Sequence, residues 1–395
     1  MTQDSRGTAA PAIAVRTSIL HVTPYYPPDR IGGVGEVARV IHEGLLERGF
    51  RSEVLTSGRT RTDPRVHRVA ASPPGFLLQS WRAARLSREF DLLHVHHGEA
   101  LLLVLALRLR RRRPKILLML HVDVRRREAA DGPHTVLGRR FGPAGGRQLL
   151  RRFAGFGKAV MERAAWILAD AVTVETRGLA AELSDLRPLR PVTVIPYGLG
   201  PAQAVDGSAV AVELLYVGTA GNRKRTHLLP LILERVRRTV PTARLRIVGF
   251  HPEGDPRIER EAERLGISEG IEFAGPLRSE EVVPFYRSAD VLVLPSAYEG
   301  LPMVLLEAMR EGLPPVATDV SGHPDAIEDG VNGFLVHVDD VDALAGRCAT
   351  LLGNPTLGAR MGEAAQRTVR QRFTTERQLE AYIGLYTDLL GANAG

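Results

Sequence analysis

Short apolar runs alternating with amphipathic helical stretches, a pattern that occurs twice along the chain, limit the possible fold more than any other feature. In the first series, Ser18–Val22, Ser52–Thr56, Arg65–Ala70, Asp91–His96, Lys115–His121, Ala171–Val174 and Val192–Ile195 have the length and apolar content of strands. Helical periodicity runs over Val34–Arg48, closed by Gly49, near Phe76–Arg88, and over Ala100–Arg112 and Arg147–Leu168. The pattern lapses over Pro196–Ser208, where glycine, proline and alanine collect, and then resumes. Its second series predicts strands at Glu213–Val217, Arg244–Val248, Ile271–Ala274, Ala289–Leu294 and Pro315–Thr318. It predicts helices at Thr226–Thr239, Arg257–Leu265, Ser279–Ser288, Asp340–Leu352 and Thr374–Leu390. Strands apolar on both faces, each followed by a helix, make a parallel sheet covered on both sides. A chain of 395 residues is too long for one core. The expectation is an α/β protein of two Rossmann-like, doubly wound domains facing a central cleft, over 17–200 and 201–373, with a last helix over 374–391.

Charge divides the chain at the same place. Residues 1–200 hold 32 basic and 18 acidic side chains, and 201–395 hold 20 and 27, which predicts halves with different partners. The single cysteine, Cys348, excludes an internal disulfide and a multi-cysteine metal site, and its place on an apolar helix face predicts a packed thiol. The N-terminus has no basic region followed by an apolar run, and the longest apolar stretch, Ala100–Leu107, is too short to span a bilayer. The expected location is cytoplasmic.

In parallel sheets ligands bind beyond the carboxyl ends of the strands, so the residues at those ends carry the functional expectations. Pro295–Pro315 follows the apolar run Ala289–Leu294 and reads as a loop feeding a helix, with Pro302 at the helix start and Gly312 at its stop. Backbone N–H groups at such a helix start, around Gly300, Leu301 and Pro302, attract phosphate oxygens. Glu299 sits at the mouth and Glu307 more than a turn inside, so the two carboxylates are not a bonded pair. Carboxylates there suit hydroxyl groups, while two glutamates on an ordinary solvated helix are the bland alternative. Gly32-Gly33-Val34-Gly35 follows the first strand and lets backbone approach a ligand, although it does not match the dinucleotide fingerprint G-x-G-x-x-G. Gly218–Arg225 follows the first strand of the second series, and Lys224 with Arg223 and Arg225 could neutralise a diphosphate leaving group.

His94 and His96 point to one face of their strand and His97 to the other; with no carboxylate cluster beside them, packing or hydrogen bonding is expected and no metal. His121, ending an apolar strand, is the better candidate. Arg125–Arg152 mixes one arginine triplet, Arg125-Arg126-Arg127, and the pairs Arg139-Arg140 and Arg151-Arg152 with Leu149, Leu150, Phe153 and Phe156 nearby, a mixture that suits an anionic membrane surface or a charged lipid acceptor as well as it suits a solvated basic face. Aromatics are few and no nucleic-acid motif occurs, so nucleic acid is not an expected partner.

Pro295-Ser296-Ala297-Tyr298-Glu299-Gly300 through Glu307-Ala308-Met309, with Gly312-Leu313-Pro314, Gly322-His323-Pro324-Asp325, Glu328-Asp329-Gly330-Val331-Asn332-Gly333, Gly32-Gly33-Val34-Gly35 and Asp91-Leu92-Leu93-His94-Val95-His96, resembles the retaining glycosyltransferases of family 4, which have the two-domain GT-B fold and an E-x7-E element. The resemblance covers nearly the whole chain. It implies transfer of a sugar from a nucleotide-diphosphate-sugar donor, with the anomeric configuration kept, to a sugar, lipid-linked or small-molecule acceptor. No cofactor and no metal are implied, and the donor phosphate itself takes the acceptor proton. By the same resemblance Glu307 holds the ribose hydroxyls, Glu299 faces the donor sugar, Lys224 with Arg223 stabilises the departing diphosphate, the Gly32-Gly33 loop closes on phosphate and acceptor, and His121 contacts the donor sugar. The last helix crosses back to the first domain.

The chain departs from the family at three places. Thr219 stands where the family often has arginine, Tyr197-Gly198-Leu199-Gly200 replaces the usual Asn-Gly-Val-Asp, and Asp325 replaces the glutamate of Gly-x-Pro-Glu. Thr219 is the one feature favouring a sugar-nucleotide binder that kept the fold without catalysis. An epimerase or phosphorylase of related architecture lacks support, because no pyridoxal lysine site is evident.

Overall fold

The computed structural model describes residues 17–28, 33–60, 63–71, 75–76, 79–96, 101–108, 113–121, 163–184, 192–202 and 212–391. Gly32, His97 and the Arg125–Arg152 stretch lie outside the described residues.

The alternation becomes two parallel sheets. The first has the order β3-β2-β1-β4-β5-β6-β7, with β1 (Ser18–Val22), β2 (Arg51–Ser57), β3 (Val66–Ala70), β4 (Leu92–His96), β5 (Lys115–Leu120), β6 (Ala171–Val174) and β7 (Val192–Val194). The second has the order β10-β9-β8-β11-β12-β13, with β8 (Glu213–Val217), β9 (Arg244–Val248), β10 (Ile271–Gly275), β11 (Val291–Leu294), β12 (Pro315–Thr318) and β13 (Phe334–Val336). Each sheet reverses direction of winding beside its first strand, between β1 and β4 and between β8 and β11, and a crevice opens at the carboxyl ends there. The central strands β4, β8 and β11 are buried along their whole length, which is why they are apolar on both faces apart from the buried Glu213, His94 and His96. An aspartate just before a strand stitches the opposite, amino ends together. Asp91 accepts from Ser18 N at 2.8 Å, Asp170 from Ile116 N at 2.9 Å and Asp290 from Glu213 N at 2.8 Å. The aspartate of the Asp91–His96 motif therefore sets strand register, away from the crevice.

Helices cover both faces: α1 (Gly33–Glu47), α2 (Leu101–Arg108), a segment over 163–168 and α3 (Arg177–Ser184) on the first sheet; α4 (Leu229–Arg237), α5 (Pro256–Leu265), α6 (Ser279–Ser288), α7 (Met303–Arg310), the single turn α8 (His323–Ala326), α9 (Val341–Leu352) and α10 (Pro355–Arg372) on the second. Several of these features, the single turn α8 among them, differ from the sequence expectation. Among the described residues of the Phe76–Arg88 stretch, Phe76 is helical, while Ser80–Ala84 and Leu86–Glu89 are 3-10 segments. The helix α3 gave no signal because it buries only Leu179 and Leu183 and carries glycine in its first turn. The longer α10 packs mostly small residues, Gly362, Ala364 and Ala365 beside Met361 and Val369, so its apolar stripe is faint. The short strand β13, also unforeseen, pairs with β12.

The chain runs twice between the sheets, side by side. Leu199 N donates to Phe373 O at 2.9 Å, Thr375 N donates to Leu199 O at 3.2 Å, and Gly198 N donates to the Gln378 side chain at 3.1 Å. From there α11 (Thr375–Gly391) lies on the first sheet: Leu379 occupies the space a side chain at Gly44 of α1 would need, the Tyr386 hydroxyl is 2.8 Å from His94 Nδ1, and the Tyr382 hydroxyl donates to Met119 Sδ at 3.3 Å. Leu379 is 1% exposed. Leu379→Ala is expected to cost about 2–5 kcal/mol in denaturant unfolding; a loss below 1 kcal/mol would show that α11 does not share the cooperative unit of the first sheet.

Candidate active site

Pro295–Pro302 leads from β11 to α7. Pro302 is the residue before the first helical turn, with φ −69° and no side-chain cap, and Gly312, at φ 86°, lets the chain turn back for β12. Glu299 is buried in this loop, yet three groups of the same half hold its carboxylate. Arg223 Nη1 donates to Oε2 at 2.9 Å, Lys224 Nζ lies 2.5 Å from Oε1, and the Ser296 hydroxyl donates to Oε1 at 2.7 Å. Burial pushes the carboxyl up, but Lys224 and Arg223 outweigh it and hold its pKa down at about 2. Arg223 also donates to Tyr298 O at 2.9 Å, and its own carbonyl accepts from Ala297 N at 2.7 Å. The turn after β8 is thus clamped to the loop after β11.

That turn depends on close backbone contact. A side chain at Gly249 would overlap the Gly218 carbonyl oxygen, and Gly249 has φ 116°. Arg225 takes the left-handed conformation at φ 52° and pairs with Asp339 at 2.7 and 3.1 Å. Of the three cations expected to face a diphosphate, Arg223 and Lys224 converge on Glu299 and Arg225 points elsewhere. Thr219 O accepts from the Tyr216 hydroxyl at 3.0 Å.

Glu307 belongs to different surroundings. Its Oε2 accepts from the Tyr286 hydroxyl at 2.9 Å; burial raises its pKa, the Tyr286 bond and Arg310 oppose this, and Glu36 of α1 adds to the rise. The two glutamates therefore have separate partners, as their spacing demands. Glu36 lies in the first turn of α1, and Gly33, one turn earlier, faces Met303 of α7, where a Cβ would stand 3.8 Å from Met303 Cγ. The starts of α1 and α7 confront each other across the crevice. Gly300, Leu301 and Pro302 lead into the start of α7, with Leu301 buried.

The opposite wall consists of the carboxyl ends of β4, β5 and β6. His121 Nδ1 lies 2.5 Å from the Tyr197 hydroxyl, and its ring is nearly parallel to that of His96 with centroids 6.2 Å apart. The His121 carbonyl oxygen and the carboxyl of Glu175, which follows β6, both press on Gly300: a Cβ there would overlap Glu175 Oε1 and lie 2.5 Å from His121 O. Glu175 was not visible as a candidate in the sequence, where it ends an ordinary apolar strand. Beside it, Asp325 of α8 accepts from Arg177 Nε at 2.9 Å, Arg177 N at 3.2 Å and Gly178 N at 3.3 Å. The aspartate that departs from the family pattern thus caps α3 across the seam. Tyr298 donates to Glu182 at 3.3 Å, and Ser321 also bonds Glu182.

Behind this wall His21, His94 and His96 are fully buried on one face of β1 and β4, where His21 is the register partner of His94. One ring nitrogen from each of the three lies within 4.8 Å of the other two. His21 Nδ1 is 3.2 Å from His96 Nε2, His94 and His96 stack at 4.2 Å, and His94 bonds Tyr386. Burial lowers the pKa of His21 well below its ordinary value, that of His94 to about 3 and that of the neighbouring His42 to about 4. These rings are neutral when folded, whereas in the unfolded chain each takes up a proton near pH 6.5. Stability is therefore complete above pH 7 and is lost as pH falls from about 6.5 toward 4, by about 1.4 kcal/mol per pH unit for each histidine. A pH series of unfolding curves measures this, and His94→Phe is expected to flatten the slope; equal stability at pH 7 and pH 5 would contradict it.

Two parallel sheets that face each other at their winding reversals, joined by a double crossing and closed over by the last helix, define the GT-B architecture of the nucleotide-sugar glycosyltransferases. The chain belongs to glycosyltransferase family 4: the family profile described as Glycosyltransferase Family 4 matches residues 31–203, and that described as Glycosyl transferases group 1 matches 211–368. It is 31% identical over 223 residues to the lipopolysaccharide core biosynthesis glycosyltransferase LpsE of Rhizobium meliloti, a match spanning 55% of this chain and 64% of that one. Among solved structures, the fold superposes on sucrose-phosphate synthase of Thermosynechococcus elongatus with a TM-score of 0.75 at 21% identity, covering 96% of this chain and 100% of that one. It superposes on Anabaena HepE in complex with UDP-glucose with a TM-score of 0.70 at 18% identity, covering 94% and 99%.

Proposed function

We propose that the protein transfers a sugar from a nucleotide-diphosphate donor to an acceptor hydroxyl, with retention of anomeric configuration. The observation that carries this reading is the convergence of Lys224 and Arg223, whose side chains are 14% and 18% exposed, on Glu299 at the start of α7. Two cations held at a strand end, in a crevice that also receives the first-turn N–H groups of α7, are equipped to meet the charge that develops on a departing diphosphate. Glu299 keeps them in place and, being ionised, offers acceptor oxygens to hydroxyls of the transferred sugar. Glu307 receives the ribose, Gly33 brings backbone to the phosphates, and His121 meets the donor sugar from the first sheet. The donor phosphate takes the acceptor proton, and the positive charge comes from side chains with no metal required. HepE, which binds UDP-glucose, supports a nucleotide-sugar donor, and LpsE, named for lipopolysaccharide core biosynthesis, supports a glycan or lipid-linked acceptor.

The test is release of nucleoside diphosphate from a panel of sugar nucleotides, followed by NMR assignment of the anomer formed. An α-linked donor is expected to give an α-linked product; a β-linked product would contradict retention. Donor binding with neither transfer nor hydrolysis across acceptors would favour the non-catalytic binder that Thr219 suggests. Docking at the inner face of a membrane through Arg125–Arg152 is a separate part of the proposal: reversing Arg139, Arg140, Arg151 and Arg152 is expected to reduce sedimentation with anionic vesicles, and unchanged sedimentation would remove it. Among the described residues no helix is long and apolar enough to cross a membrane.

A further inference from the structure

Glu175 is a buried carboxylate at the crevice to which the proposed reaction gives no role. It directly follows β6, level with His121 after β5, and is 1% exposed. Neither of its carboxyl oxygens makes a hydrogen bond of good geometry; the backbone N–H groups of Glu175 itself and of Leu301 are near enough to act on it electrostatically. The charges that could have served it are engaged: Arg177 pairs with Asp325, and Arg223 and Lys224 pair with Glu299. What it touches is the backbone of Gly300, between Glu299 and Leu301, at the point where the first sheet meets the loop before α7. Burial raises its pKa well above the ordinary carboxylate value, opposed by the backbone N–H groups of Glu175 and Leu301, and Asp325 adds to the rise. When protonated, the group offers one O–H donor and one carbonyl acceptor.

A buried polar side chain without partners is a standing cost to stability, and an apolar residue of the same size would remove it. Such groups persist where a ligand completes them. We propose that Glu175 is a specificity-determining residue that hydrogen-bonds a hydroxyl group of the donor's sugar moiety as it lies between His121 and the Gly300–Leu301 backbone. The inference rests on the donor reading above and adds to it the group that distinguishes one sugar from another. The geometry places this contact on the sugar and not on the nucleotide, because Glu307 and the cations Lys224 and Arg223 are held by other partners on the second sheet's side. A sugar lacking the hydroxyl would leave the carboxyl buried and unpaired, which is the arrangement by which polar sites discriminate most strongly.

The experiment compares calorimetric binding of UDP with UDP-glucose, and of GDP with GDP-mannose, to the wild type, Glu175→Gln and Glu175→Leu. For the pair that the wild type binds, Glu175→Leu is expected to weaken the sugar nucleotide about tenfold to hundredfold, leave the bare nucleotide within about twofold and raise the melting temperature. Glu175→Gln, which keeps a donor and an acceptor, is expected to stay within about fivefold for both ligands. A purely structural role would move both ligands together or lower the stability of Glu175→Leu. Equal binding of the sugar nucleotide by wild type and Glu175→Leu overturns the inference and leaves the donor reading standing. Failure of the folded wild type to bind any of the four ligands overturns both.

Discussion

Lys224→Ala is expected to lower kcat for sugar transfer by about 10²–10³-fold, the usual cost of removing one preorganised group from developing negative charge. The ammonium is 2.5 Å from Glu299 Oε1 and its side chain is 14% exposed, so solvent and salt screen its charge little. Loss of the cation also releases Glu299 from the larger of the two attractions that hold its pKa at about 2, so the carboxyl rises toward its ordinary value. Two defects then act together: less charge at the diphosphate, and a carboxylate free to leave the sugar. Lys224→Arg restores charge but not the compact ammonium, and is expected to recover only part of the rate. The measurement is steady-state release of nucleoside diphosphate, with folding verified by circular dichroism. Wild-type kcat in Lys224→Ala would remove the cation from the reaction.

Gly322→Ala is expected to produce the largest loss of stability among single-methyl substitutions, about 1–3 kcal/mol or more, together with loss of transfer. A Cβ at Gly322 would overlap the Gly300 carbonyl oxygen and stand 2.9 Å from Leu301 N. Both obstacles are backbone atoms, so no rotamer change relieves them, and relief must come from moving the loop that carries Glu299. Gly346→Ala is the control. It lies on the exposed face of α9 with no atom within 4 Å of the new methyl, and is expected to raise stability by up to about 1 kcal/mol. Thermal unfolding and turnover of both variants decide the matter; unchanged melting and activity in Gly322→Ala would mean that the loop is not packed as described.

Most strands were legible because they are buried on both faces, and continuous apolar runs such as Ile116–Leu120 and Val291–Leu294 leave little room for another assignment. The glutamates and Lys224 were legible from their positions at strand ends, and the structure brings Glu299, Lys224 and Arg223 into one cluster. What stayed hidden depends on contacts distant in sequence. The helix α3 is short and buries two leucines, so nothing local marks it, yet its backbone N–H groups are capped by Asp325, 148 and 147 residues away. Glu175 looks like a polar residue after a strand until Gly300 arrives from the second sheet. His94 and His96 were expected to be packed or hydrogen-bonded, but the partner, the Tyr386 hydroxyl of the last helix, and the third ring, His21 of β1, come from segments distant in sequence. Arg225 shares a basic triplet with two cations at the site, and its left-handed backbone turns it to Asp339 instead.

The central claim is that Lys224 and Arg223, held on Glu299 at the start of α7, receive the diphosphate of a sugar-nucleotide donor. Nucleoside diphosphate release, followed over UDP-, GDP- and ADP-linked sugars for wild type and Lys224→Ala side by side, tests it most directly. The account predicts turnover of at least one donor by the wild type and a loss of about 100-fold or more in the variant. Equal release by the two proteins, or no binding and no release by folded wild type with any donor, would contradict it.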